Sequence, residues 1–200
     1  MKSPPDHLYA LILAAGNANR MGRPKQSLIW KGETLLTHAI QKIRDVVHHY
    51  LVVLGANNEL ISPLVPDGHS TVNQYWKGGM GTSIAHGVSE LEKKFNPSAI
   101  LIQLVDQPLL KKRHFEKLIE RHLKDPKKII CTAYENKAGV PAIFPQSFFE
   151  DLKTLKADFG ARNLLNEMKK DIVMVKPHGQ LLDLDTPEDY ASLLALDSSE

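Results

Sequence analysis

One cysteine in 200 residues, Cys131, excludes an internal disulfide and any zinc site built from cysteines, and it fits a reducing compartment. Charge of one sign is not in excess either. Twenty-five Lys and Arg stand against 23 Asp and Glu, and a net charge of +2 gives no broad field to draw nucleic acid or an anionic membrane. Any polyanion must be met locally. No apolar run reaches the length that crosses a bilayer. None of the nine histidines pairs with a second ligand at metal-binding spacing on one helical face. Repeats, low-complexity tracts and internal linkers are missing too, which leaves one folded unit over residues 1–200. Hydrophobic content of 42% with 24% charged residues is ordinary for a globular chain with a full core.

What is present is concentrated first in residues 8–25, LYALILAAGNANRMGRPK. An apolar run, short enough for a buried strand, ends at Ala15 and breaks at Gly16. Asn17, Asn19, Arg20, Gly22 and Lys25 follow, so turn residues alternate with cations that have no place in a core. That is the composition of a phosphate cradle: glycine lets backbone N–H groups approach an anion, and the cations neutralise what those dipoles only partly offset. A P-loop is excluded because Gln26, not Ser or Thr, follows Lys25, and a dinucleotide fingerprint because Asn17 and Ala18 follow Gly16. Asp6 and His7 interrupt the resemblance of this N-terminus to a signal peptide, and cleavage there would destroy the cradle, so the expected location is the cytoplasm.

The loop pattern L-A-A-G-x-x-x-R-M-G-x-P-K, carried by Leu13, Ala14, Ala15, Gly16, Arg20, Met21, Gly22, Pro24 and Lys25, resembles the signature loop of the MobA-like nucleotidyltransferases. The resemblance implies a nucleoside triphosphate bound over this loop, with Arg20 and Lys25 on the pyrophosphate as catalytic cations. It also implies an α/β fold of nucleotide-diphospho-sugar transferase type: one Rossmann-like, three-layer domain with a mainly parallel sheet. The nucleotide part would cover about residues 7–110 and the acceptor part about 111–197.

The order of elements agrees. A short strand over 27–30 leads to a helix capped by Thr34 and running to about Arg44, then a strand over 48–54 and a short helix stopped by Pro66. Such alternation predicts parallel strands with right-handed crossovers and ligands at their carboxyl ends, where Gly16 sits. A third strand, 70–74, runs into a second glycine loop that opens a helix reaching about Phe95. A helix start offers unpaired N–H groups and a positive dipole end, although Thr82 or Ser83 could equally cap a plain turn there. By resemblance, Gly79, Met80, Gly81 and Ser83 hold the base and sugar.

The apolar strand 99–105 delivers Asp106 at its tip, followed by Gln107, Pro108 and Leu109. A carboxylate there is poorly explained by packing and suits Mg2+, which takes one or two carboxylates plus substrate phosphates. Further on, a helix is expected over 111–123, strands over 128–133 and 140–144, helices over 146–155 and 160–169, and a strand over 171–175. Gly139, Pro141 and Phe144 match the family's G-x-P-x-x-F segment, and Asp158, Gly160, Ala161, Arg162 and Leu165 its D-x-G-A-R-x-L-L segment. Gly139, Pro141, Asp158 and Arg162 are thereby implied on the acceptor side, with an Asp158–Arg162 ion pair as the bland alternative for the last two. Val140 and Ala157 depart from the His and Gly common in relatives. Asp185 is expected at or just before the N-cap of a last helix with Pro187 in its first turn. By resemblance it is a second Mg2+ carboxylate.

The closest resemblance is to molybdenum cofactor cytidylyltransferases. It implies transfer of a cytidylyl group from CTP to the terminal phosphate of molybdopterin, with Mg2+ as cofactor and a molybdenum hydroxylase apo-enzyme as a further partner. Nucleic acid and membranes are not expected partners. Ala14-Ala15-Gly16, where guanylyl-transferring relatives tend to have Ala-Gly-Gly, favours CTP. Guanylyl transfer, a sugar-phosphate acceptor, or a carrier that only binds the pterin are the alternatives.

Overall fold

The computed structural model describes residues 5, 7–17, 21–135, 137–157, 161–167 and 171–197. Its centre is β1, Leu8–Ala14, whose seven residues are apolar and almost all buried. Outside the main sheet, β2 (Ile29–Trp30) and β3 (Glu33–Thr34) form a small antiparallel hairpin, so the single strand expected over 27–30 is half of a turn-linked pair. Lys31 and Gly32 both take positive φ, 49° and 81°, as a two-residue hairpin turn of this twist requires. The helix α1, Leu35–Arg44, starts as its sequence predicts, with the Thr34 hydroxyl accepting from the Thr37 N–H at 3.1 Å.

Strands β4 (His49–Leu54), β5 (Ser70–Val72) and β6 (Ala99–Leu104) follow, separated by α2 (Asn58–Ile61) and α3 (Met80–Lys94). The chain continues through α4 (Lys112–Lys124), β7 (Ile129–Tyr134), β8 (Lys137–Pro145), α5 (Phe149–Lys153), α6 (Ala161–Glu167), β9 (Ile172–Val175) and α7 (Pro187–Asp197). Seven strands make one sheet in the order β5-β4-β1-β6-β8-β7-β9. β5, β4, β1 and β6 are mutually parallel, β8 runs antiparallel between β6 and β7, and β7 pairs parallel with β9. The mainly parallel α/β expectation therefore holds, with β8 as the antiparallel insertion.

Burial on both faces explains the unbroken apolar runs. Ala10, Ile12 and Ala14 of β1 turn to one face with Leu36 and Ile40 of α1 and Phe115 of α4, while Leu11 and Leu13 turn to the other with Ile84, Val88 and Leu91 of α3. Helices on both sides of the sheet give the three layers.

The second face is closest at Gly87 of α3, where an added Cβ would lie 2.5 Å from Leu11 Cδ1 and 2.8 Å from Val53 Cγ2. Both neighbours are fully buried and have little room to withdraw. Overpacking of this kind costs about 1–3 kcal/mol, against about 1 kcal/mol that alanine regains in a helix interior. Gly87→Ala is therefore expected to lower stability by roughly 1–2 kcal/mol in a denaturant titration. An unchanged midpoint would mean that Leu11 can repack freely.

Candidate active site

At the carboxyl end of β1 the chain leaves the sheet, and Ala15, Gly16 and Asn17 form the rim of a cleft of about 400 Å³. Among the described residues, a Cβ added to Gly16 would meet no atom within 4 Å, and this glycine does not take a left-handed φ. Packing among those residues thus gives no reason for glycine here. Close approach of a ligand to the backbone does.

The cradle is pinned from beneath by Gln26, in the short 3-10 turn Lys25–Ser27. Its Nε2 donates to the carbonyl oxygens of Ala14 at 2.6 Å and Gly16 at 3.1 Å, and the side chain is 4% exposed. The same turn aims Lys25 upward. Lys25 Nζ lies 2.6 Å from Asp185 Oδ1 and 3.5 Å from Asp106 Oδ2, so one ammonium joins three distant parts of the chain.

Asp106 follows β6 directly, next to the cradle because β6 is parallel to β1 and in register with it. Burial raises its pKa from 3.8 to about 6; Lys25 opposes the shift, and the Asp183 and Asp185 carboxylates add to it. Oδ1 of Asp106 is buried and has no hydrogen-bond partner among the described residues. A half-buried carboxylate with an orphaned oxygen, facing a second carboxylate, is a fitting partial donor set for a hard divalent cation completed by substrate phosphates. Among the described residues no group of three or more His, Cys, Asp or Glu comes together as a full protein cage.

Asp185 is held ready by a capping box one residue later. Thr186 Oγ1 accepts from the Asp189 N–H at 3.2 Å, and Asp189 Oδ2 accepts from the N–H groups of Asp185 and Thr186 at 2.9 and 2.8 Å. The N-cap of α7 is thus Thr186. Asp185 stands just before it with its side chain turned to Lys25. Asp106 caps nothing: α4 begins at Lys112, and its N-cap Lys111 makes no side-chain cap. Beneath this region the buried Lys42 ammonium donates to the Pro108 carbonyl oxygen, and burial lowers its pKa to about 8.

The opposite wall is the start of α3. Gly79, its N-cap, takes φ 91° and ψ 179°, a conformation that glycine alone adopts easily, and the helix begins at Met80. Neither Thr82 nor Ser83 caps the helix. Thr82 Oγ1 donates to Gly79 O, and both hydroxyls accept from Nδ2 of the buried Asn73, at 3.1 and 3.0 Å. The first-turn N–H groups of Met80 and Thr82 have no acceptor within the helix and stand at its positive end.

Of the residues singled out from the sequence, Leu13, Ala15, Gly16, Lys25, Gly79, Met80, Ser83, Asp106 and Asp185 line this one cleft. Ala14 does not; it is 2% exposed on the other face of β1 and contributes only its carbonyl to Gln26. Gly81 is buried, and its N–H donates to Ala157 O at 3.0 Å. Gly139 and Pro141 lie on β8 away from the lining, at the register shift between Cys131 and Thr132. Gly139 has a packing reason, since a Cβ there would lie 2.6 Å from the Tyr134 ring. Arg20 and Asp158 fall outside the described residues, as does the side chain of Arg162. Sequence reasoning missed Gln26, Asn73, Trp76 and Lys77; all but Asn73 line the cleft, with the Lys77 ammonium 5.7 Å from the Trp76 ring centroid.

Residues 10–172 match the family described as MobA-like NTP transferase domain. The purine catabolism protein PucB of Bacillus subtilis is 30% identical over 95% of this chain and 96% of its own length. A molybdenum cofactor guanylyltransferase of Xanthomonas euvesicatoria is 24% identical over 92% of this chain and 93% of its own. In fold, the chain is similar to Rv0371c of Mycobacterium tuberculosis in complex with manganese, with a TM-score of 0.78, 22% identity, and coverage of 94% of this chain and 98% of that one.

Proposed function

The chain belongs to the MobA-like NTP transferase domain family and is a nucleotidyltransferase, and on that premise we propose that it joins CTP to the terminal phosphate of Mo-molybdopterin. The products are molybdopterin cytosine dinucleotide and pyrophosphate. The observation that carries this reading is the meeting of Lys25 with Asp106 and Asp185 beside the open backbone of Gly16. A cation, two carboxylates and the backbone dipoles of a glycine turn suit a triphosphate and its leaving pyrophosphate.

In the reaction an oxygen of the acceptor phosphate attacks the α-phosphorus of CTP, and the bond to the β-phosphate breaks. A phosphate monoester loses its second proton at a pKa of about 6, so the acceptor is already an anion at neutral pH and no general base is required. Catalysis rests on positioning and charge neutralisation. Arg20, Lys25 and the amides near Gly16 hold the β- and γ-phosphates. Gly79, Met80, Gly81 and Ser83 at the start of α3 hold base and ribose, while Gly139, Pro141, Asp158 and Arg162 serve the acceptor side. Asp106 and Asp185 would hold Mg2+, which would supply neutralisation of the charge that develops on the phosphates. The manganese complex of the Rv0371c neighbour agrees with a divalent ion in this fold. A molybdenum hydroxylase partner finds no support in these relatives.

Guanylyl transfer is the second reading, favoured by the guanylyltransferase relative. Against it, the Ala15 methyl lines the cleft with Gly55 close behind it, where an added Cβ would lie 2.8 Å from that methyl. Less room is left for a purine than for cytosine. Size alone discriminates by about 1–3 kcal/mol per methylene, so contacts from the Gly79 to Ser83 turn must add to it.

The test is pyrophosphate release with each of the four nucleoside triphosphates and molybdopterin. CTP is expected to have the highest kcat/KM. Ala15→Gly combined with changes in the second loop should relax that preference more than Ala15→Gly alone. Equal use of GTP by the wild type would replace the cytidylyl reading with the guanylyl one.

A further inference from the structure

Residue 107 follows the Asp106 carboxylate, and its side chain turns away from the cleft. Gln107 is 3% exposed, yet its Nε2 reaches three segments: Asp183 Oδ1 at 3.0 Å, the Tyr134 hydroxyl at the end of β7, and Val140 O on β8 at 3.3 Å. The Tyr134 hydroxyl in turn donates to Val140 O at 2.6 Å. A buried polar side chain of this kind is costly unless its bonds hold something in place.

What it holds is the run that ends in Asp185. This stretch lies along the segment after β6 through backbone bonds at both ends, Lys111 N–H to His178 O and Leu184 N–H to Asp106 O, each at 3.0 Å, with a bridge between Leu110 and Gly179. Those bonds fix its height, Asp189 Oδ2 holds the N–H groups of Asp185 and Thr186, and Lys25 Nζ ties Asp185 Oδ1. The Gln107 to Asp183 bond is a further side-chain tie, two residues earlier, that draws the same turn toward Asp106.

We propose that Gln107 is a positioning residue that sets the Asp185 carboxylate opposite Asp106 by holding Asp183, and that it anchors this pair to the Tyr134 and Val140 corner of the β7–β8 hairpin. It touches neither nucleotide nor ion. The inference rests on the nucleotidyl-transfer reading, in which Asp106 and Asp185 bind a divalent cation. Outer partners of metal-binding carboxylates typically change metal affinity by about 10- to 100-fold when removed.

The experiment measures Mn2+ binding to the full chain by the electron paramagnetic resonance of free Mn2+, with an unreactive methylene analogue of CTP present. Gln107→Met keeps the shape and removes the donor; it is expected to weaken Mn2+ binding about tenfold while leaving analogue affinity in the absence of metal unchanged. Asp183 supplies the control that survives a folding defect at position 107. It is exposed, and Asp183→Asn and Asp183→Ala both remove its charge, but only the amide oxygen can still accept from Gln107. The alanine variant is expected to bind Mn2+ several-fold more weakly than the asparagine variant. Equal constants for these two, or a wild-type constant in Gln107→Met, would overturn the proposal. A wild-type chain that binds no Mn2+ beside the analogue refutes the nucleotidyl-transfer reading and takes this inference with it.

Discussion

Asp106→Asn is expected to cut turnover by roughly a thousandfold or more while leaving the metal-free protein as stable as the wild type, or more stable. The loss follows from removing a charged oxygen at a strand tip, where no other described carboxylate except Asp185 faces Lys25. The stability gain follows from the raised pKa. The folded chain holds the Asp106 proton up to about pH 6 while the unfolded chain releases it near 3.8, so stability falls as pH rises through that window. The full difference is roughly 3 kcal/mol, and less in practice because the side chain keeps 22% exposure. Asparagine never ionises and escapes this loss. Thermal melts in chelator at pH 4.5 and 7.5 check the sign: the mutant should gain on the wild type as pH rises. A mutant that retains metal-dependent turnover would remove Asp106 from the mechanism.

Lys25→Met is expected to act in two opposite directions. Turnover should fall by roughly 10²- to 10³-fold, the usual loss when one preorganised donor to developing charge is removed. In nucleotide-free protein, however, Mn2+ should bind more tightly, by roughly tenfold, because the ammonium at 2.6 and 3.5 Å from the two carboxylates repels a second cation brought between them. A triphosphate that draws Lys25 onto itself relieves this repulsion, so nucleotide and metal should strengthen each other's binding in the wild type, and less so in the variant. Calorimetric titration of Mn2+ with and without nucleotide reads both effects. Weaker Mn2+ binding in the variant would show that Lys25 supports the metal rather than competing with it.

The features that were legible in the sequence are those fixed over a few neighbouring residues. The apolar run of β1 and its break at Gly16, the Thr34 cap, and a lone carboxylate ending an apolar strand at Asp106 each carry their own reason. The buried hydrogen bonds of Gln26, Asn73 and Gln107 were not legible. Each side chain is an amide of a type that usually stands at the surface, and each is buried here with partners up to 76 positions away taking its hydrogen bonds. The choice left open for Asp185, N-cap of α7 or the residue just before it, has a similar source, since Asp and Thr both cap helices and only the reach of Asp189 decides for Thr186. The direction of β8 was hidden for another reason: a strand buried on both faces is equally apolar whichever way it runs.

That direction matters beyond the geometry of the site. Among the described residues, β8 alone joins the β5-β4-β1-β6 part of the sheet to β7 and β9. Ala99, Ile100, Leu101 and Ile102 of β6 are fully buried, and their backbone groups on that side pair with Pro145, Phe144, Ile143 and Ala142. A chain truncated at residue 110 would keep the glycine loop, Lys25 and Asp106, yet it would expose four apolar residues along an unpaired strand edge. Such an edge recruits other chains. Residues 1–110 are therefore expected to aggregate when expressed without the remainder, and domain exchange between relatives would have to carry β8 along with β6.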